Sequence, residues 1–136
     1  MNSIKNIHPP IDNDLGLLII RSIACISLFV RHGMEKLFRF NEMLEIFPDP
    51  LHVGKLPSLI FALLTDGVLS VFVLVGLFTR WSTLIISVNL TIAFFVFHRA
   101  NLDGGEIAFV YLGIMILIYL CGPGKYSVDH KLGNPY

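Results

Sequence analysis

The chain has 136 residues, of which 54% are hydrophobic and only 15% are charged, so residues 1–136 are expected to form a single domain. Soluble domains carry about 25% charged residues, and together with a mean hydropathy of +0.72 this excludes an ordinary soluble domain and favours a membrane protein. The formal net charge is +0 and the ten Lys and Arg residues are scattered, which argues against a nucleic-acid partner.

The N-terminal segment, Met1 to Asp14, contains one Lys, a Pro-Pro pair and two Asp. A cleaved signal peptide begins with a basic stretch that leads directly into a short apolar region, and this segment does not follow that pattern. We therefore expect the first apolar run to remain in the mature protein.

Hydrophobicity predicts four membrane-spanning helices, because crossing a bilayer takes roughly 20 residues of helix. Short connections make neighbouring helices antiparallel, so the predicted fold is all-α, an integral membrane antiparallel four-helix bundle with a long loop between helices one and two. The predicted helices are 15–37, 56–78, 81–98 and 105–121.

The first predicted helix carries a line of polar residues out of its apolar part. Residues three and four apart share a helix face, so this stripe is a candidate site, with Lys36 on its flank. Its members are Arg21, Cys25, Leu28, His32, Glu35 and Arg39. Cys25 and Cys121 are best interpreted as small apolar residues, and the alternatives are a redox pair or a sulfur-handling thiol at Cys25.

The connections have distinct sequence signals. Pro48 and Pro50 exclude one continuous helix across the long loop, and 41–47 is predicted as a short amphipathic helix at the membrane interface. Thr79 and Arg80 are predicted to form a tight turn, and Asp103-Gly104-Gly105 to interrupt the helix between the third and fourth spans.

Several charged or polar residues lie inside the predicted spans or at their ends. An unpaired charge there costs about 2.5 to 3.5 kcal/mol on insertion scales, so Arg21 and Asp66 should face the bundle interior. They are expected to pair with each other or with other groups, either as a structural ion pair or in handling substrate and protons. The third span adds Asn89 and His98, for which interhelical bonding and a headgroup contact are the plainer interpretations.

If the spans alternate, one end of the bundle gathers many polar groups. They are His32, Glu35, Lys36, Arg39, His98, Arg99 and Glu106. This end of the bundle combines cations with groups that transfer protons, and it is open to lipid. It therefore suits a quinone, which needs donors to its carbonyl oxygens and a proton source. The sequence shows no metal-ligand spacing and no haem, flavin or nucleotide motif.

Three motifs resemble the DoxX family over Leu15 to Asp129. They are His-Gly-Met-Glu-Lys-Leu at 32–37, Gly-Leu-Phe-Thr-Arg at 76–80 and Gly-Pro-Gly-Lys-Tyr-Ser-Val-Asp at 122–129. The resemblance implies a four-helix membrane protein of bacterial type. The related DoxD-like proteins are the membrane part of thiosulfate:quinone oxidoreductases, which oxidise thiosulfate to tetrathionate.

The resemblance also assigns positions. The family's helix-one Arg matches Arg21, its His-Gly-x-x-Lys matches His32 and Lys36, and its helix-four acid matches Glu106. Relatives often carry a Glu in helix two where this chain has Asp66. The extra domain of some thiosulfate-oxidising relatives is absent here, so the resemblance allows for a second redox subunit.

The leading hypothesis is an oxidoreductase, or its quinone-reactive subunit, that passes electrons from thiosulfate to a membrane quinone. The alternatives are a non-catalytic membrane subunit that docks a soluble partner and, more weakly, a small anion transporter. The catalytic candidates are Cys25, His32, Asp66, His98 and Glu106, and the substrate- or quinone-binding candidates are Arg21, Lys36, Asn89 and Arg99.

The expected location is the bacterial inner membrane, as a multi-pass protein in contact with lipid. Positive charges are nearly balanced between the two sides, and we favour cytoplasmic termini because a site would account for the charges on the opposite side. The helix surfaces left unpacked would also allow a homodimer.

Overall fold

The computed structural model describes residues 12–134, and the regular structure there is entirely helical. Four helices in it are long and apolar enough to cross a membrane, which confirms the all-α class and the predicted number of spans. The helices in chain order are α1 (Asn13–Phe38), α2 (Phe40–Ile46), α3 (Lys55–Val75), α4 (Thr79–Phe97), α5 (Leu102–Cys121) and α6 (Val128–Lys131). The N-terminal prediction falls mostly on residues 1–11, outside the described residues.

The short helix predicted in the long connection is present as α2, immediately after α1. The turn that follows it is organised by Asp49. Its carboxylate accepts hydrogen bonds from the amides of Val53 and Gly54 at 3.0 and 2.8 Å and from the Ser58 hydroxyl at 3.1 Å. These bonds tie the proline-containing turn to the first turn of α3.

The turn between α3 and α4 lies three residues earlier than predicted. Gly76 ends α3 with φ +77, a conformation that glycine adopts without steric cost. The Asp129 carboxylate then accepts hydrogen bonds from the amides of Phe78 and Thr79, each at 2.9 Å, and so caps α4. Thr79 and Arg80 therefore belong to a helix and not to a turn.

The predicted interruption at 103–105 was wrong, because these residues lie inside α5. The Asn101 side chain caps this helix by accepting a hydrogen bond from the Asp103 amide at 2.9 Å. Gly105 allows α5 to pack closely against the end of α4, since a Cβ added there would lie 2.8 Å from the Phe94 ring and 2.9 Å from His98 Cβ.

Three of the spans contain a π-helical turn. These turns are Phe29–Gly33 in α1, Leu64–Leu69 in α3 and Ile92–Phe97 in α4. A π turn shifts the hydrogen-bond register, and such turns are frequent at functional sites. In α3 the Ser70 hydroxyl lies 2.5 Å from the Asp66 carbonyl and 2.9 Å from the Gly67 carbonyl, so it binds carbonyls next to the shifted register.

A buried apolar core joins all four spans. Its members are Ala24, Cys25 and Leu28 from α1, Leu69 and Val73 from α3, Ile86 and Leu90 from α4, and Leu112, Met115 and Ile118 from α5. Leu28 and Leu90 also line a cavity, so the core directly borders the space described next.

Candidate functional site: a polar cavity among the four spans

A cavity of about 340 Å³ lies among the four spans. Its size falls in the range typical of small-molecule sites. Much of its wall is apolar, but every span contributes a polar group. These are His32 and Lys36 from α1, Asp66 from α3, Asn89 from α4, His98 immediately after α4, and Tyr111 from α5.

An ion pair between α1 and α3 forms part of the cavity wall. Lys36 Nζ lies 2.8 Å from Asp66 Oδ2, and the two side chains are 9% and 8% exposed. Lys36 Nζ also donates to the carbonyl of His32 at 3.2 Å. Each charge therefore has an opposite charge within contact, which offsets part of the penalty of placing it inside an apolar bundle.

The ion pair continues into a hydrogen-bond network that reaches α4. Asn89 Nδ2 donates to Thr65 Oγ1 at 2.8 Å, and Thr65 Oγ1 lies 3.3 Å from Asp66 Oδ1 and 3.0 Å from the Ala62 carbonyl. A hydroxyl carries one proton, so Thr65 donates to one of these two acceptors at a time. Asn89 is thereby oriented at the cavity wall by a fully buried partner.

Two half-buried histidines complete the polar lining. The His32 ring packs edge-on against Tyr111, with ring centroids 6.3 Å apart, and the His98 ring packs edge-on against Phe97 at 4.8 Å. Among the hydrogen bonds within residues 12–134, none involves either imidazole ring. Both rings can therefore donate to or accept from a ligand in the cavity.

The comparisons with known proteins give the family. The DoxX family model matches residues 16–99, more than half of the chain. The chain belongs to the DoxX family. An uncharacterised protein of Haemophilus influenzae is 28% identical over 139 residues, which covers 96% of this chain and 97% of the relative. No solved structure gives a significant match.

The DoxX match ends at residue 99, so it contains His32, Lys36, Asp66, Asn89 and His98, the five sequence-predicted site residues that line the cavity. The structure therefore brings together candidates from three spans. Their chemical roles remain predictions.

Arg21, by contrast, lies away from the cavity of this DoxX protein. Its side chain is almost completely buried, and its guanidinium donates to the carbonyls of Pro123 at 2.7 Å and Tyr126 at 2.9 Å. Arg21 and Asp66 do not pair with each other. The alternative expectation holds, since Arg21 binds these carbonyls and Asp66 binds Lys36. Arg21 instead holds the segment after α5 against α1.

The other predicted site residues of the DoxX chain are also outside the cavity wall. Cys25 is fully buried in the apolar core and is a free thiol, whereas Cys121 is free and exposed. Arg99 and Glu106 are exposed. Arg39 forms ion pairs with Glu42 and Glu35 at the end of α1.

Two residues of the site were not anticipated from the sequence. Tyr111 lies in an apolar span, and its hydroxyl donates to Ser27 Oγ at 2.6 Å, which links α5 to α1. Thr65 is an ordinary helix residue in sequence, yet it orients Asn89. A polar residue directly beside Asp66 was the available signal for Thr65.

Proposed function

We propose that this DoxX protein is the quinone-reactive membrane subunit of an oxidoreductase. The observation that supports the proposal is the polar cavity itself, because it places two free imidazoles, an amide and an ion pair inside a protein whose outer faces suit lipid. A quinone ring has two carbonyl oxygens that accept hydrogen bonds, and its reduction consumes two electrons and two protons.

The residues divide into two roles in this proposal. Asn89 and the His32 and His98 rings donate hydrogen bonds to the carbonyl oxygens of the ring. Lys36 and Asp66 form the polar wall behind them and accept and return protons as the ring is reduced. Because Lys36 is already paired, the cavity has no free cation among the described residues to attract an anion.

Thiosulfate is the proposed electron donor, on the strength of the family resemblance. Two thiosulfate ions and one quinone, with two protons, would give one tetrathionate and one quinol, so the sulfur–sulfur bond forms as the quinone gains two electrons. We assign the oxidation of thiosulfate to a second subunit, since Cys25 is enclosed by the apolar core and does not reach the cavity.

We further propose a bacterial cell membrane as the location, with the spans alternating in direction and both termini in the cytoplasm. A reporter enzyme fused after residue 136 or placed at residue 52 should report opposite sides. The same side for both positions would contradict the alternating path.

The test of the function uses the full chain in membranes of the producing cell. We expect His98→Leu to abolish quinone binding and thiosulfate-dependent quinol formation, while His130→Leu, an equal change at an exposed histidine, retains both. Wild-type protein that binds no soluble quinone analogue would remove the proposal.

A second candidate is a non-catalytic membrane subunit, and the Lys36–Asp66 pair favours it. Each charge satisfies the other, as expected of a device that sets the register of two helices. Under this alternative, His98→Leu should leave quinone reduction by the assembled complex unchanged, and Asp66→Leu should release the soluble partner.

A further inference from the structure

A second, apolar cavity of about 430 Å³ lies between α3 and α4 and is bounded on one side by the connection after α2. We call it the groove. Its lining combines residues of that connection, including Phe47, with Ala62 of α3 and Val88, Asn89, Ala93 and Phe97 of α4.

The polar atoms around the groove are engaged elsewhere. The Ser58 hydroxyl donates to Asp49, and Asn89 Nδ2 donates to Thr65. Pro48 and Pro50 have no amide hydrogen, and Asp49 accepts the amides of two other residues of the connection. The side-chain amide nitrogen of Asn89 has two hydrogens, so Asn89 keeps one donor for the ring in the polar cavity, and the rest of the wall presents almost no unsatisfied donor to an apolar occupant.

The groove and the polar cavity adjoin each other. Both are lined by Phe47, Ala62, Asn89, Ala93 and Phe97. Val88 and Phe97 are 48% and 49% exposed, which places them at the lipid-facing rim. A molecule that occupies both spaces therefore has a polar end among the four spans and an apolar end directed toward the bilayer.

We propose that the groove binds the prenyl tail of the same lipid-soluble acceptor whose ring lies in the polar cavity, an inference that rests on the proposed function. The acceptor then enters sideways from the bilayer between α3 and α4. Asn89 stands at the junction and marks where ring and tail meet.

Charge argues for this occupant over a phospholipid. A phospholipid acyl chain in the groove would bring a phosphate toward the cavity, where the one cation among the lining residues is neutralised by Asp66. The neutral Lys36–Asp66 pair offers that phosphate no net attraction to offset the cost of removing its charge from water. A neutral ring with carbonyl oxygens does not incur that cost.

The experiment compares two quinones with the same ring, one without a tail and one with a prenyl tail, for binding to the full chain in phospholipid nanodiscs. Val88→Trp fills the groove, because Val88 lines the groove and not the polar cavity. Val96→Trp is the matched control, an equal substitution on α4 at a residue that lines neither space and is 44% exposed.

We expect Val88→Trp to weaken binding of the tailed quinone by roughly tenfold and to leave the tail-less quinone unchanged, while Val96→Trp affects neither. The expected effect is no larger because the tail moves between two apolar surroundings, so the groove adds packing and not transfer out of water. Equal affinity of the wild type for both quinones, with no effect of Val88→Trp, would overturn the inference and leave the proposed function standing.

A second measurement on the wild type does not depend on the variants folding. A tailed quinone with a photoreactive diazirine at its tail should label peptides 47–62 and 88–97, and excess unlabelled tailed quinone should prevent this. Labelling of these peptides by the tailed quinone that excess unlabelled quinone does not reduce would overturn the inference, because lipid-facing residues are also labelled without any bound tail. Failure of both quinones to bind would overturn the proposed function as well.

Discussion

At the scale of single residues, the Lys36–Asp66 pair requires an explanation beyond stability. A buried ion pair is often no more stabilising than two apolar side chains of similar volume, because desolvation offsets the attraction. Loss of one partner is different, since it leaves a single charge inside an apolar bundle. The pair is therefore expected to contribute register or chemistry, and the two contributions can be separated by substitution.

We predict that Asp66→Leu lowers the free energy of unfolding by about 3 to 5 kcal/mol, because the Lys36 ammonium loses its counter-charge. The double variant Lys36→Met/Asp66→Leu should recover most of that loss and still bind quinone poorly. Unfolding in mixed detergent and SDS, with a binding assay in parallel, measures both effects. A double variant as unstable as Asp66→Leu would show that packing, and not charge, holds this contact.

At the scale of elements, α1 and α3 meet where their π-helical turns face each other, and Gly33 permits the contact. A Cβ on Gly33 would lie 2.7 Å from the Asp66 carbonyl oxygen and 3.0 Å from the Gly67 Cα. Both are backbone atoms, so the helices themselves would have to move apart. The Lys36–Asp66 distance depends on this approach.

Gly33→Ala is accordingly expected to destabilise the protein by about 1 to 3 kcal/mol through overpacking. Gly113→Ala is the control, because nothing lies within 4 Å of a Cβ built there, and alanine is the better helix former. Thermal unfolding of both variants in the same detergent gives the comparison. Equal melting temperatures for the two would contradict the close approach of α1 and α3.

The connection that bounds the groove should respond to acid. Burial disfavours the charged form of Asp49, but hydrogen bonds from the Gly54 and Val53 amides and from Ser58 outweigh it and hold the pKa of Asp49 below its usual value of 3.8. A carboxyl group whose pKa is lowered on folding stabilises the folded state above its unfolded pKa, and this contribution is lost as the pH falls through the folded pKa.

We therefore expect Asp49→Asn to have a lower melting temperature than the wild type at neutral pH, with the difference shrinking below about pH 4 as Asp49 of the wild type is protonated. Melting temperatures of both proteins across this range test the prediction. A gap that stays constant down to the lowest pH would show that the charge of Asp49 is not what holds the turn.

At the scale of the whole molecule, hydropathy was sufficient to find the four spans. The observed helix ends differ from the predicted ends where local contacts determine them. Gly76 and the Asp129 cap move one boundary, and the Asn101 cap moves another. The cavity was predicted only in part. Hydropathy does not encode the relative depth of two helices, so it did not reveal that Asp66 would meet Lys36 and not Arg21.

Arg21 and Asp129 show why long-range contacts escaped the sequence patterns. Arg21 binds carbonyls 102 and 105 residues later, and Asp129 binds Thr79 fifty residues earlier. Carbonyl acceptors leave no mark in a sequence, because every residue has one. Together these contacts fasten the segment after α5 to α1 and to the start of α4.

This fastening predicts how Asp129→Ala behaves. The Phe78 and Thr79 amides and the Thr79 hydroxyl lose their acceptor together, and we expect a loss of about 2 kcal/mol or more in the free energy of unfolding. Asp103→Ala removes an exposed carboxylate from the first turn of α5 and should change stability by no more than about 0.5 kcal/mol.

Asp129 lines neither the polar cavity nor the groove, so folded Asp129→Ala should bind the tail-less quinone as the wild type does. Weakened binding in the folded variant would instead mean that the two ends of the bundle are coupled.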